Sequence, residues 1–179
     1  MTEKEEYAIV LDYLPYGYPL EGKMMSVAQA LGKKNLTLLQ LVPRKGVSLQ
    51  SKEEVYIGEA KRDKIYYILG RLPKEKLTEN AKFILSELIE KIVGEREAEF
   101  ADFFNKADAM NTRLHQLELI PGFGKKHMKQ ILEARKEKPF EGFDDIKNRI
   151  PSIPDPKKAI ERRIYEELTE TQRHALFTS

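Results

Sequence analysis

Near Leu77 the spacing of apolar residues changes, and that change limits the folds open to this chain more than any other feature. Before it, apolar residues fall in short β-branched and aromatic runs closed by Gly or Pro. YAIVLDYL (7–14) ends in PYGYP, and LTLLQLV (36–42) ends at Pro43 and Gly46. EVYIG (54–58) and KIYYILGRL (64–72) follow, separated by AKRD. Strands this short and this regularly punctuated predict a small closed barrel or a curled antiparallel sheet. The stretch from Met24 to Leu31, containing SVAQAL, reads as a short helix within it.

Beyond Leu77 the period becomes helical. Thr78 is a helix cap, after which Leu85, Leu88, Ile89 and Ile92 recur on one face, with a break or kink expected at Gly94. Phe100, Phe103, Phe104 and Ala107 form a second stripe at i, i+3, i+4 and i+7, a spacing that marks core. A helix starting at Asn111 or Thr112 holds Leu114 and Leu117, and PGFG ends it. Lys125 to Lys136 make the next helix, followed by a short one with Phe143, Ile146 and Ile150, and, after PSIPDP, one with Ile160, Ile164 and Leu168. The chain is thus an α+β protein: a small β-barrel over 1–75, a helical connector over 76–110 and an all-α end over 111–179.

Composition removes several functions. No cysteine is present, so disulfides and thiolate metal sites are excluded, and three scattered histidines make no metal cluster. No metal or other cofactor is expected. No apolar run is long enough to span a bilayer and the first residues are acidic, so a cytoplasmic protein is expected. The formal charge of +2 conceals a segregation of sign. Residues 113–163 hold thirteen Lys or Arg against eight Asp or Glu, whereas 75–102 hold four against eight. The basic stretch favours an anionic partner.

That stretch contains the one motif with chemistry in it. Leu117, Ile120, Pro121, Gly122, Phe123 and Gly124, followed by Met128 and Ile131, resemble the helix-hairpin-helix motif of nucleic-acid-binding proteins. Pro121 keeps the residue before it out of the α region. Gly122 and Gly124 permit unusual backbone angles and put no side chain between amide and ligand. Phe123 turns inward, and the free N–H groups opening the next helix make an anion site. Lys125, Lys126, Lys129 and Arg113 surround that site with charge. The bland alternative is a tight turn with solvated lysines, but such a turn needs neither both glycines nor a basic first helical turn.

A weaker copy lies thirty residues on. Ile150-Pro-Ser-Ile-Pro-Asp-Pro repeats the frame with Ser152 and Pro154 in place of the glycines, followed by Lys157 and Lys158. Pro154 has no N–H, so this hairpin offers fewer donors and reads as mainly structural, with Lys157 and Lys158 as candidate contacts. The pair resembles a tandem helix-hairpin-helix domain. YAIVLDYLPYGYP, VPRKGVSLQSKEEVYIGEAKRDKIYYI and LIPGFGKKHMKQILEARKEKPFEGFDDI, in that order, are also similar to an uncharacterised archaeal family, domain of unknown function six-five-five. The resemblance implies an OB-like front (the oligonucleotide/oligosaccharide-binding barrel) joined to a helix-hairpin-helix domain, with RNA rather than DNA as partner. In the front, Arg62, Lys64 and Tyr66 are candidate contacts, since cations beside aromatics suit single strands. A charged loop between strands is the competing reading.

Enzymatic alternatives are weaker. Asp144 lies twenty residues beyond Gly124, the distance at which base-excision glycosylases resembling this stretch place a catalytic aspartate. It also falls in the first turn of a helix, where acidic residues favour the dipole. No Walker, HExxH or GxSxG pattern is present. The expectation is a non-enzymatic protein that holds the phosphate backbone without reading bases. A DNA repair or processing factor (glycosylase-like or nuclease accessory) and a protein–protein adaptor with a vestigial hairpin remain as alternatives.

Overall fold

The computed structural model describes residues 4–19, 21, 22 and 25–179. They make five strands, six α-helices and two short 3-10 turns. The chain divides into two compact units: 1–88 with 167–179, and 89–166. The 76–110 segment is shared between them.

The first unit is a five-stranded antiparallel sheet. Its strands are β1 (Tyr7–Leu14), β2 (Val27–Gly32), β3 (Leu38–Pro43), β4 (Glu54–Tyr56) and β5 (Ile65–Arg71), in spatial order β4-β1-β2-β3-β5. One cluster of buried side chains gathers Ala8, Val10, Ala28, Ala30, Leu39 and Leu41 from the centre with Val55 from one edge and Ile65 from the other. Both edges of a five-strand sheet meet one core only if the sheet curls. The result is a half-barrel with β4 and β5 as its edges, so of the two expected arrangements the curled sheet is the one that forms.

Residues 27–31 are strand rather than helix, and Met24, where that helix was expected to begin, lies outside the described residues. Alanine and glutamine are good helix formers, but intrinsic propensity amounts to only a few tenths of a kcal/mol per residue and yields to tertiary context. Every residue of β2 is buried between β1 and β3, and this tertiary demand overrides the preference. Gln29, wholly buried there, donates to the Lys76 carbonyl at 2.7 Å and accepts from the Thr78 amide at 3.2 Å. In β1, Leu11 is an extra residue against β2. Just beyond it, Asp12 accepts from the Thr78 hydroxyl at 2.6 Å and from Asn80 at 3.2 Å. Thr78 also accepts from the Ala81 amide at 3.0 Å, which caps α1 (Glu79–Glu95) as expected. Glu167, buried near the end of the chain, accepts from the amides of Leu176, Phe177 and Thr178 at 2.9–3.2 Å and so ties that segment down.

α1 passes through Gly94, and the interruption falls at Arg96, which has φ −112 and ψ 37. α2 (Glu97–Ala101) and α3 (Phe103–Lys106) follow; of the expected stripe Phe100, Phe104 and Ala107 are buried, while Phe103 is only half-buried.

Residues 111–115 are not helical. The Asn111 side chain accepts from the amides of Arg113 and Leu114 at 2.8 and 2.9 Å, and Ala109 bridges to His115. These local bonds satisfy the backbone outside a helix. Only a 3-10 turn, Gln116–Leu119, remains. His115 caps it by accepting from the Leu117 amide at 3.1 Å, while Glu118 accepts from the His115 amide at 2.8 Å. α4 (Lys125–Glu137), α5 (Phe143–Arg149) and α6 (Pro156–Thr169) then follow closely the ranges read from sequence.

Candidate nucleic-acid interface

Ile120 to Phe123 form a tight turn. Pro121 leaves Ile120 extended (φ −79, ψ 128), Gly122 takes φ 85, and the Phe123 amide donates to the Ile120 carbonyl at 3.0 Å. Proline second and a positive-φ glycine third is the sequence a type II turn requires. Phe123 is buried, its ring 5.7 Å from those of Phe104 and His127. The turn is therefore locked from within.

The two glycines serve different ends. A Cβ on Gly122 would meet Pro154 Cγ at 3.2 Å, so this glycine is needed for both its angle and its packing. Gly124 has φ −108 and ψ −169, which any residue adopts, and a Cβ there would meet nothing within 4 Å. Neither the backbone angle nor packing calls for glycine at that position; only the helix-capping preference does, and Ser, Thr, Asn or Asp would serve that as well.

Gly124 caps α4. Its own amide donates to His127 Nδ1 at 3.2 Å, and its carbonyl accepts from Met128 at 3.0 Å. The amides of Lys125, Lys126 and His127 form the open first turn, where helical geometry supplies no acceptor. Of the cations, Lys125 is drawn back: its ammonium lies 3.1 Å from Glu118 Oε1 and 3.3 Å from the Arg113 carbonyl. The His115 amide first, and Lys125 second, hold the Glu118 carboxyl below its ordinary range. Lys126 and Lys129 are exposed and form no ion pair with any described residue. Arg113 is exposed, its backbone carbonyl accepting from Lys125. Gly122, Gly124, Lys125 and Lys126 thus follow one another through the turn into α4 and Lys129 lies one helical turn on, with Lys125 partly neutralised.

The turn before α6 repeats the amide-to-carbonyl bond of the turn before α4 but carries an anion at the helix that follows. The Ile153 amide donates to the Ile150 carbonyl at 3.3 Å, as Phe123 does to Ile120. The Asp155 carboxylate then accepts from the Lys158 amide at 3.2 Å, placing an anion at the start of α6. Pro154 and Pro156 have no N–H to offer. Lys157 is ion-paired to Glu161 at 2.6 Å, which leaves Lys158 as the exposed cation. Lys147, unremarked in the sequence, donates to the carbonyls of Pro151 and Ile153 and holds the turn. An Asp-Pro pair opening a helix is a legible capping signal, and it shows in PSIPDP.

Elsewhere, Asp144 is exposed at the start of α5 and pairs with no described residue. Its neighbour Asp145 is held below the ordinary carboxylate range by the Glu141 amide first and by Arg149 after it. Among the first-unit candidates, Lys64 is paired to Glu53 at 2.8 Å, Arg62 Nε donates to the Gly58 carbonyl at 2.8 Å, and Tyr66 is exposed. Among the described residues no group of three His, Asp or Glu could hold a metal, and no helix is long and apolar enough to cross a membrane.

Residues 4–179 match a family described as "Protein of unknown function (DUF655)", and the chain belongs to that family. An uncharacterised protein of Methanocaldococcus jannaschii is 40% identical over 169 residues, covering 94% of this chain and 76% of that protein. The crystal structure of Af1531 from Archaeoglobus fulgidus, a member of the same family, superposes with a TM-score of 0.83 at 44% identity, covering 98% of this chain and 100% of that one.

Proposed function

We propose that the protein binds nucleic acid, RNA in preference to DNA, by its phosphate backbone at the turn before α4, and that it performs no chemistry of its own. The observation that carries this reading is Gly124: a glycine in a conformation open to every residue, with free space where its side chain would be. The space is explained if an anion must reach the backbone there. The open amides of the first helical turn and the positive end of the helix dipole supply the attraction, with Lys126 and Lys129 adding full charges. A phosphate held by main chain and ammonium groups conveys no base identity, so binding is independent of sequence. On this reading the half-barrel is an opened relative of the OB-like barrel and residues 111–179 are a tandem helix-hairpin-helix domain with one working hairpin.

The test is Lys126→Glu with Lys129→Glu, measured by fluorescence anisotropy on labelled RNA and duplex DNA at about 100–200 mM salt, where phosphate contacts are sensitive. Two reversed charges should weaken both ligands by at least tenfold. Equal affinity for variant and wild type would overturn the reading.

A further inference from the structure

β5 pairs with β3 through a broken register. Gln40 faces Gly70 but Leu41 faces Ile68, and Val42 faces Tyr67 but Pro43 faces Ile65. Two residues of β5, Leu69 and Tyr66, therefore have no partner opposite and are bulged. They are also the two large apolar residues of β5 that are exposed, Tyr66 at 64% and Leu69 at 43%. Gly70 accommodates the second bulge with φ 144. Bulges on an edge strand re-aim side chains and discourage another strand from pairing. This edge is thus built to display side chains rather than to accept a β-strand.

Around Tyr66 the chemistry is aromatic and cationic. Its ring stands edge-on to that of Tyr67 at 5.3 Å, and the Tyr67 hydroxyl contacts Met25 Sδ at 3.5 Å. The Arg44 amide donates to the Lys64 carbonyl, two residues before Tyr66. The Arg44 guanidinium donates through Nε to the Arg62 carbonyl at 2.7 Å, and Arg62 in turn to the Gly58 carbonyl at 2.8 Å. Each arginine is oriented by main chain alone and forms no ion pair with any described residue. Lys64, by contrast, is neutralised by Glu53. Guanidinium groups oriented by main chain and in no ion pair with a described residue, on the two segments that flank and pair with the start of β5, together with an exposed ring on that strand, are elements of a base-stacking platform.

We propose that this end of β5 binds single-stranded nucleic acid, with a base stacked on Tyr66 and the flanking phosphates held by Arg44 and Arg62. The assignment rests on the nucleic-acid reading above only for the class of ligand; its residues and its preference for unpaired bases are separate. A duplex keeps its bases stacked within itself and has none to offer Tyr66.

The chain contains no tryptophan, so Tyr66→Trp introduces a single reporter at an exposed position. Titration with an unlabelled single-stranded RNA about twenty nucleotides long should quench its emission, and the matching duplex should not. Non-specific affinities at physiological salt reach about 100 µM, which sets the range to cover. Tyr66→Ala should weaken single-strand binding roughly five- to a hundredfold. Arg44→Glu with Arg62→Glu should abolish the quench. Repeating the titration in a Lys126→Glu, Lys129→Glu background separates the two sites: quenching that survives there supports the β5 site whatever the hairpin does. Emission unchanged by single strands, or quenched equally by duplex, would overturn the proposal and leave the face to a protein partner.

Discussion

Replacing each hairpin glycine by alanine should give opposite results. At Gly122 the new Cβ must accept φ 85 and a contact of 3.2 Å with Pro154 Cγ. A left-handed angle costs a non-glycine residue about 1–2 kcal/mol, and the tight contact brings the total to about 2 kcal/mol. For a chain of this size that is about 4–8 °C in Tm. At Gly124 the angles are unstrained and the space is empty. Alanine restricts the unfolded chain, a gain of about 0.4–1 kcal/mol, and is the poorer helix cap by a similar amount. The two effects cancel, and Tm should stay within about 2 °C.

Binding should separate the variants in the other direction. On the proposed reading, a methyl at Gly124 stands where the phosphate would approach. Loss of one charge-assisted hydrogen bond, about 1.5–3 kcal/mol, weakens Kd about ten- to a hundredfold. Calorimetry gives the first quantity and anisotropy with labelled RNA the second. If Gly124→Ala binds as the wild type does, the glycine is not there for a ligand. If it melts as early as Gly122→Ala, it has an internal role that the geometry hides. Either result refutes the reasoning.

Three further outcomes follow from individual contacts. Asp155→Ala removes the cap of α6 and should lower Tm by about 2–4 °C, from roughly 1 kcal/mol, with no loss of RNA affinity. Glu167→Ala deprives the amides of Leu176, Phe177 and Thr178 of their acceptor; hydrogen exchange there should quicken at least tenfold, and unchanged protection would show that the segment is held otherwise. Burial first, and the charge of Arg135 after it, hold His115 below the ordinary imidazole value of 6.5. The unfolded chain therefore takes up that proton first, so the stabilisation is complete above 6.5 and fades as pH falls below it. His115→Gln should flatten the difference in Tm between about pH 7.5 and pH 5, and an unaltered difference would exclude the histidine.

Sequence disclosed elements whose pattern was local and strong. β1 and α4 to α6 needed only periodicity, a cap or a breaker, and Thr78 and the Pro-Gly turn behave as those residues must. What stayed hidden depended on partners distant in the chain. VAQALG looks helical until β1 and β3 enclose it. The segment from Asn111 to His115 has helical spacing, but one Asn side chain takes the amides of Arg113 and Leu114. The site divides in the same way. The hairpin's glycines and lysines were legible as a group. That Lys125 is drawn to Glu118, that Lys64 is drawn to Glu53, and that Arg44 belongs beside Arg62 required three dimensions.

The turns before α4 and α6 share a closing bond but not a charge, and on the proposed reading, in which each is one hairpin of a tandem pair, this difference predicts a number. Each is built on Ile-Pro, a small residue and a buried apolar one, closed by the same amide-to-carbonyl bond across the turn. After the first comes Gly, leaving donors open; after the second comes Pro-Asp-Pro, which deletes donors and fixes a carboxylate on the helix that would have attracted phosphate. If both hairpins worked, each gripping its own strand of a duplex, four to six phosphates would be neutralised, and log Kobs would fall with log salt at a slope near −4 to −5. With α4 acting alone through its first turn, Lys126 and Lys129, two or three phosphates are engaged and the slope should be about −2 to −3 on duplex DNA. Restoring donors and removing the anion by Pro154→Gly with Asp155→Ser should steepen it by about one. A wild-type slope already at −5 would mean that the second hairpin binds in spite of Asp155, and that a carboxylate at the head of α6 does not keep phosphate away.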